Sequence, residues 1–174
     1  VVVQAQGDED VRRLLTVPGV DVTTAMTLIA VIGDARRFRT SRQLVGYLGL
    51  HPRVRQSGSE PARHGRLSKE GSAAARHVLV EAAWTAARSP GPLHAFAARV
   101  AARRGRQVAA VAVARKLCVL CWCLLTRGED YAFARPSMVR RKLRRLELAA
   151  GAPRRKSGPQ ADPVWNTDAD TRER

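Results

Sequence analysis

The chain has 174 residues, with 31 Lys and Arg against 15 Asp and Glu, and a formal net charge of +16 at pH 7. A field of this sign attracts polyanions and speeds their encounter, so nucleic acid is the first partner to consider, with a ribosome-type basic protein as the alternative. An odd count of three cysteines argues against a secreted disulfide scaffold. The apolar start Val1–Val3 is too short for a signal peptide and no uncharged apolar run approaches about 18 residues, so we expect no membrane span and a cytoplasmic protein.

Helix signals dominate the first fifty residues. Asp8-Glu9-Asp10 places acids in the first turn of a helix that ends at Pro18-Gly19, where the helix dipole favours negative charge. Apolar spacing predicts a second helix from about Thr23 to Ile32. Ser41 is the predicted N-cap of a short helix that reaches Tyr47.

The middle of the chain changes from polar to apolar. The stretch from Leu50 to Leu67 contains Pro, Gly, Ser and Arg without apolar periodicity, which predicts a loop. Ser68 is the predicted cap of a helix from about Lys69 to Arg88. The buried stripe predicted for that helix consists of Ala74, Val78, Leu79, Ala82 and Ala83.

The second half is predicted to be helical up to a disordered tail. Helices are expected from Leu93 to Arg104 and, as the central core helix, from Gln107 to Thr126. Cys118, Cys121 and Cys123 lie on that core helix, and no spaced His pair completes a zinc set, so they are predicted to be buried free thiols. A basic helix follows Arg140, and the tail from Gly151 is predicted to be disordered. The fold class is therefore all-α, with β content close to nil.

The most reactive-looking position is Ser57, in the sequence Arg53-Val-Arg55-Gln-Ser57-Gly58. A hydroxyl held among fixed cations can attack or simply bind a phosphate, because the cations neutralise the charge that develops. A lone Ser-Gly pair is more commonly a turn, and Ser59 and Ser68 are rival hydroxyls. Further cations follow at Arg63, Arg66 and Lys69.

Two other patterns are compatible with nucleic acid. Residues 14–32 resemble a helix-hairpin-helix, in which Gly19 would leave backbone N–H groups free to hold a phosphate, although Asp21 places a carboxylate nearby. A purely structural hairpin is the alternative. Several helical cations form the second pattern, with a solvated face as the alternative: Arg76, His77, Arg99, Arg103, Arg104, Arg106, Arg115 and Lys116.

Several short matches in register carry a family resemblance. They include Pro18-Gly19-Val20, Ile32-Gly33-Asp34, Arg37-Phe38-Arg39, Arg55-Gln56-Ser57-Gly58 and Gly65-Arg66-Leu67-Ser68-Lys69. Over roughly Leu14 to Tyr131 the chain resembles the C-terminal domain of the insertion-sequence transposases related to Piv-type DNA invertases, which are bridge-RNA-guided recombinases. The resemblance implies that Ser57 is a nucleophile that forms a phosphoserine link to DNA.

The resemblance also implies partners and a division of the chain. It implies DNA and a guide RNA as partners, a homo-oligomer at full length, and Mg²⁺ bound by an acidic RuvC-like domain that we do not find in this sequence. The expected organisation is a lead-in (1–13), the helical transposase domain (14–131) and a basic helix with a disordered tail (132–174). The nucleic-acid contacts are assigned to Gly19, Arg53, Arg55, Gly58, Arg63, Arg66, Lys69 and Arg76. The chain alone is expected to be inactive, and a non-catalytic nucleic-acid-binding module is the alternative function.

Overall fold

The computed structural model describes residues 2–55, 63–68 and 70–154, and these residues are mostly helical. The elements in chain order are α1 Val2–Gly7, α2 Glu9–Leu15, α3 Val22–Ile32, a 3₁₀ turn Ala35–Arg37, α4 Ser41–Tyr47, β1 Pro52–Arg55, β2 Arg63–Leu67, α5 Ala73–Ala86, α6 Pro92–Arg104, α7 Arg106–Arg127 and α8 Pro136–Ala149. The predicted all-α class is confirmed, apart from one antiparallel hairpin of β1 and β2 where a loop was expected. The predicted disordered tail lies, from residue 155, outside the described residues.

Helix α7 is the centre of the bundle. It packs against α4, α5 and α6, and it buries Val113, Ala114, Leu117, Cys118 and Cys121. Among the described helices, α7 is long and apolar enough to cross a membrane by length and composition alone, a test that the core helices of soluble proteins also pass. Its packing is that of a core helix, because the neighbouring helices cover its apolar face.

Helix caps explain where the elements begin. The Asp8 carboxylate accepts hydrogen bonds from the backbone N–H groups of Asp10 and Val11, at 2.8 and 3.3 Å, so the acidic start of α2 is confirmed. The predicted cap Ser41 is wrong: Thr40 holds that position, without a capping hydrogen bond from its side chain.

The start of α5 also differs from the prediction. Ser72 rather than Ser68 caps this helix, because the Ser72 hydroxyl accepts from the N–H of Ala75 at 3.2 Å. The short side chains of α5 allow close approach to α3 and α7. The buried stripe is shifted from the predicted one, since Ala74 is exposed and Val78 half-buried; it consists of Ala75, Leu79, Ala82, Ala83 and Ala86.

The two ends of the described chain meet. Helix α8 packs against α1 and α2, and its Leu146 is buried. The Lys142 ammonium donates hydrogen bonds to the carbonyl oxygens of Leu15 and Val17, where α2 ends. The predicted lead-in and the predicted basic helix are therefore packed parts of the same bundle.

Candidate nucleic-acid interface

The basic hairpin, which we define as β1 and β2, flanks the candidate nucleophile in sequence. Pro52 pairs with Leu67, Val54 with His64 and Arg55 with Arg63, with an irregularity between the first two pairs. Residues 56–62 connect the paired Arg55 and Arg63. That segment contains Ser57, Gly58 and Ser59 and lies outside the described residues. Lys69, which follows β2, is also outside the described residues. The structure thus describes the strands leading to Ser57 and away from it, but not Ser57 itself.

The root of the basic hairpin is a close backbone crossing. Gly49 has φ +67°, and a Cβ on it would overlap the carbonyl oxygen of Glu70. Gly71 has φ +113°, and a Cβ there would overlap the carbonyl oxygen of Tyr47. Only glycine fits both positions, since each combines a left-handed conformation with contact to another backbone. The two chain segments entering and leaving the hairpin are therefore in direct contact.

Arg76, predicted as a nucleic-acid contact, braces this crossing. Its Nη1 donates to the carbonyl oxygen of Gly71 at 3.0 Å and to that of Leu48 at 3.2 Å. Hydrogen bonds from a charged group contribute about 1.5–3 kcal/mol each. The side chain is half-buried at the first turn of α5, so it ties the hairpin to the helical core.

Arg53 and Arg66 are the strand cations whose side chains are described, and both are exposed. Arg53 Nη2 donates to the carbonyl oxygen of Ser68 at 3.3 Å, which leaves other N–H groups of its fork for a phosphate. Arg55 and Arg63 are paired through their backbones; their side chains lie outside the described residues. The structure therefore brings four predicted cations onto one two-stranded element.

Ser68 is an unsuitable rival to Ser57. It is 3% exposed, and its backbone N–H donates to the carbonyl oxygen of His51 at 2.9 Å. Within the described part of the chain its hydroxyl has no hydrogen-bond partner. A hydroxyl enclosed in this way cannot reach a DNA phosphodiester without opening the hairpin root.

In the turn between α2 and α3, Gly19 and Asp21 both contact other parts of the protein. Gly19 has φ +85°, and a Cβ on it would overlap the carbonyl oxygen of Ala82 in α5. The Asp21 carboxylate accepts from the N–H of Thr24 at 2.8 Å, so one of the free N–H groups at the start of α3 already has an anion. Both groups have protein partners, and phosphate contact by Gly19 stays a prediction.

One cation beside the hairpin root was not among the predicted site residues. The Arg37 guanidinium lies 4.6 Å from the ring centroid of Phe38 and 4.7 Å from that of Tyr47. Among the described residues no carboxylate pairs with it. Two aromatic rings thus hold an exposed guanidinium whose N–H edges remain available to an anion. Its sequence signal is Arg37-Phe38-Arg39, which contributes to the family resemblance without indicating a binding role.

Neither metal nor thiol chemistry is offered by this part of the chain. No group of three or more His, Cys, Asp or Glu in the described residues could hold a metal ion. Burial raises the pKa of the Cys118 thiol to about 12 and that of the Cys121 thiol still further. The cysteines are free, and these two are buried, as predicted, while Cys123 is half-buried.

Comparison with known proteins gives the family. The sequence model of the Transposase IS116/IS110/IS902 family matches residues 11–98, which is half of the chain. The chain belongs to this transposase family. It is 35% identical over 131 residues to the transposase for insertion sequence element IS1111A of Coxiella burnetii, covering 73% of this chain and 36% of that protein.

Two further relatives agree. A probable family 20 transposase of Pseudomonas aeruginosa is 35% identical over 130 residues, covering 72% of this chain and 38% of that protein. The pilin gene-inverting protein of Moraxella lacunata is 44% identical over 45 residues, covering 26% of this chain and 14% of that protein. The transposase-family chain thus spans little more than a third of the length of the first two relatives. The resemblance to Piv-type invertases is confirmed at the level of the family.

Proposed function

We propose that this chain forms the C-terminal part of a DNA transposase or site-specific recombinase, in which Ser57 is the nucleophile. Membership of the transposase family is the observation that carries the proposal. The basic hairpin supports it, because the strands that flank Ser57 in sequence carry exposed cations and are anchored to the core.

The proposed step is a transesterification. Ser57 Oγ attacks the phosphorus of a DNA phosphodiester, a phosphoserine bond forms, and the P–O bond to one sugar breaks. The Ser57 proton leaves with a general base, and the departing sugar oxygen takes up a proton. In the reverse step a strand-end hydroxyl attacks the phosphoserine, which rejoins DNA and restores the serine. The phosphodiester bond energy is conserved, so no ATP is needed.

The cations of the hairpin neutralise the phosphate. Arg53 and Arg66 are exposed, and Arg55 and Arg63 join them on the same pair of strands. Arg is suited to this task because its planar fork binds two phosphate oxygens at once. In the proposal Gly58, Lys69 and Gly19 also lie along the DNA, whereas Arg76 holds the root of the hairpin through its hydrogen bonds to Leu48 and Gly71.

Further partners belong to the same proposal. By resemblance, magnesium would be held by the acidic domain of a full-length protein; in the described residues no group of three or more His, Cys, Asp or Glu could hold a metal ion. A guide RNA, a homo-oligomer at full length and a cytoplasmic location complete the proposal by resemblance.

Trapping of covalent complexes tests the nucleophile. A full-length version is incubated with labelled cognate DNA, guide RNA and Mg²⁺, and adducts are resolved on a denaturing gel. Ser57→Ala is expected to abolish the adduct, and the matched control Ser59→Ala to retain it. An adduct that persists in Ser57→Ala shows that Ser57 is not the nucleophile.

A non-catalytic nucleic-acid-binding module is the second candidate. It is supported by the exposed Arg53 and Arg66 of the basic hairpin, which can bind phosphate without any reaction. Incubating the 174-residue chain with DNA, guide RNA and Mg²⁺ separates the two candidates. Binding without cleavage supports the module for this chain, whereas cleavage by the chain alone excludes it.

A further inference from the structure

The longest acid-free stretch of the chain contains α6 and α7. Residues 82–128 include eight Lys or Arg and no Asp or Glu. Other cations have acidic neighbours, for example Arg13, which forms salt bridges of 2.8 and 2.7 Å with Glu9 and Asp10. Seven of these eight cations lie on α6 and α7, and neither helix has a carboxylate of its own.

The structure arranges these cations along a groove. The α6–α7 groove, lined by Phe96, Arg99, Val100, Arg103, Arg104, Val108 and Ala112, encloses about 320 Å³. Its three arginines are exposed and, in the described part of the chain, none is paired with a carboxylate. Unpaired guanidinium groups beside one another repel, so an anion in the groove would stabilise this arrangement.

Phe96 connects the cations of the two helices. Arg99 of α6 lies 5.7 Å from the Phe96 ring centroid, and Lys116 of α7 lies 5.1 Å from it. The two cations are thus held near each other without any carboxylate between them. The ring is half-buried and both cations lie over it, so it is poorly placed to stack on an unpaired base.

The dimensions fit a nucleic-acid backbone. From Phe96 to Arg104 the helix rises about 12 Å, at 1.5 Å per residue. One strand of a duplex presents a phosphate about every 3.4 Å of axis, so this stripe faces roughly three or four phosphates. The bend at Gly105 adds Arg106, another exposed cation, at the end of the stripe.

We propose that the α6–α7 groove binds the phosphate backbone of duplex DNA without reading its sequence. This inference rests on the proposed function and deepens it. It adds a second DNA-binding surface, on α6 and α7, to the one on the basic hairpin. Duplex DNA is favoured over single strands because the groove offers cations and short apolar side chains but no available aromatic face. Backbone contact of this kind fixes the position of the duplex and leaves sequence choice to other parts of the assembly.

Salt-dependent binding tests the proposal with the 174-residue chain. Fluorescence anisotropy measures the affinity for a 20-base-pair duplex between about 50 and 300 mM salt. The slope of log K against log salt is negative. Each cation that no longer neutralises a phosphate reduces the magnitude of this slope by about 0.9. The triple variant Arg99→Ala, Arg103→Ala, Arg104→Ala is expected to reduce this magnitude by about 2–3, and affinity at 100 mM salt roughly tenfold or more.

The controls separate a located surface from general charge. Arg12→Ala, Arg127→Ala, Arg141→Ala removes the same charge from exposed positions on α2, α7 and α8 and is expected to change the slope by less than about 1. Replacing the three groove arginines by Lys keeps the charge and is expected to keep the slope. Equal losses in both Ala triples, no loss in either, or tighter binding to a single strand of the same sequence or to duplex RNA overturns the proposal. The groove is tested by the salt dependence of binding and the nucleophile by covalent adducts, so failure of the one and failure of the other are distinguishable.

Discussion

The side-chain nitrogen of Lys142 donates a 2.6 Å hydrogen bond to the backbone carbonyl oxygen of Val17. A second hydrogen bond, of 2.8 Å, goes to the carbonyl oxygen of Leu15. Carbonyl groups at the end of a helix lack partners within the helix, and here α8 supplies one from more than a hundred residues away. Burial lowers the pKa of Lys142 to about 8, although the nearby Asp21 acts in the opposite direction.

Lys142 is predicted to give the protein a pH-dependent stability. Between pH 8 and about 10.5 the folded protein holds a neutral Lys142, while the unfolded chain still binds the proton, so stability rises with pH. Relative to Lys142→Arg, which stays charged, the parent is expected to gain about 1–3 kcal/mol from pH 7 to pH 10. Urea denaturation at the two pH values measures this, and parallel changes in both proteins would contradict it.

The buried Cys118 thiol is predicted to lower the stability of the protein as pH rises, which is the opposite of the effect of Lys142. Burial raises the pKa of Cys118 to about 12, whereas an unfolded thiol titrates near pH 8.5. Above pH 8.5 the unfolded chain loses this proton and the folded one keeps it, so stability falls as pH rises. Cys118→Ala is expected to remove about 1 kcal/mol of the fall between pH 7.5 and 9.5. Cys123→Ala is the half-buried control on the same helix; the hypothesis fails if Cys118→Ala leaves the slope of the parent unchanged.

Gly19 is predicted to be far more sensitive to substitution than Gly33. Both have positive φ, +85° and +61°, but a Cβ at Gly19 overlaps the backbone of α5, whereas one at Gly33 meets nothing within 4 Å. Gly33→Ala is expected to cost about 1–3 kcal/mol, because residues with a Cβ rarely adopt this backbone conformation. Gly19→Ala is expected to cost roughly 2 kcal/mol more, because α3 and α5 must separate. Thermal and urea unfolding compare them, and equal costs would show that the close approach is unimportant.

Arg76 is predicted to hold the basic hairpin rather than to bind DNA. Arg76→Met removes the hydrogen bonds to Leu48 and Gly71, and we expect amide exchange in β1 and β2 to accelerate roughly tenfold or more. The salt slope of duplex binding should stay within about 0.5 of the parent, since the number of neutralised phosphates is unchanged. A slope smaller in magnitude by about 0.9 with unchanged exchange would instead assign Arg76 to a phosphate. Arg88→Met, at the exposed C-terminal side of α5, is the control for exchange.

Local signals predicted most of the helices. Gly33, Gly105 and Gly128 end α3, α6 and α7 where the sequence places their stops, and the apolar spacing of α7 identifies the core. The hairpin could not be predicted in this way, because its strands are short, cationic and without an alternating apolar pattern. Its stability comes from a crossing between residues about twenty positions apart, which no local pattern reports.

Some residues of the candidate site could be recognised from the sequence, and others only from the structure. Residue type and the resemblance identify Arg53 and Arg66 as exposed cations, and the structure exposes both. Arg76 looked equivalent in sequence, yet its guanidinium is directed at two backbone carbonyls. The cations Arg99, Arg103 and Arg104 were recognised from the sequence, but their place in one groove, like the Arg37 stack, depends on which helical faces meet.

The glycine crossing at Gly49 and Gly71 has a consequence for changes of length in the hairpin. Because both ends of the hairpin are pinned to each other, an insertion or deletion between residues 56 and 62 should be absorbed locally, without displacing α4 or α5. The length of the connecting segment is then independent of the geometry of the helical bundle, so a change in that segment leaves the scaffold intact.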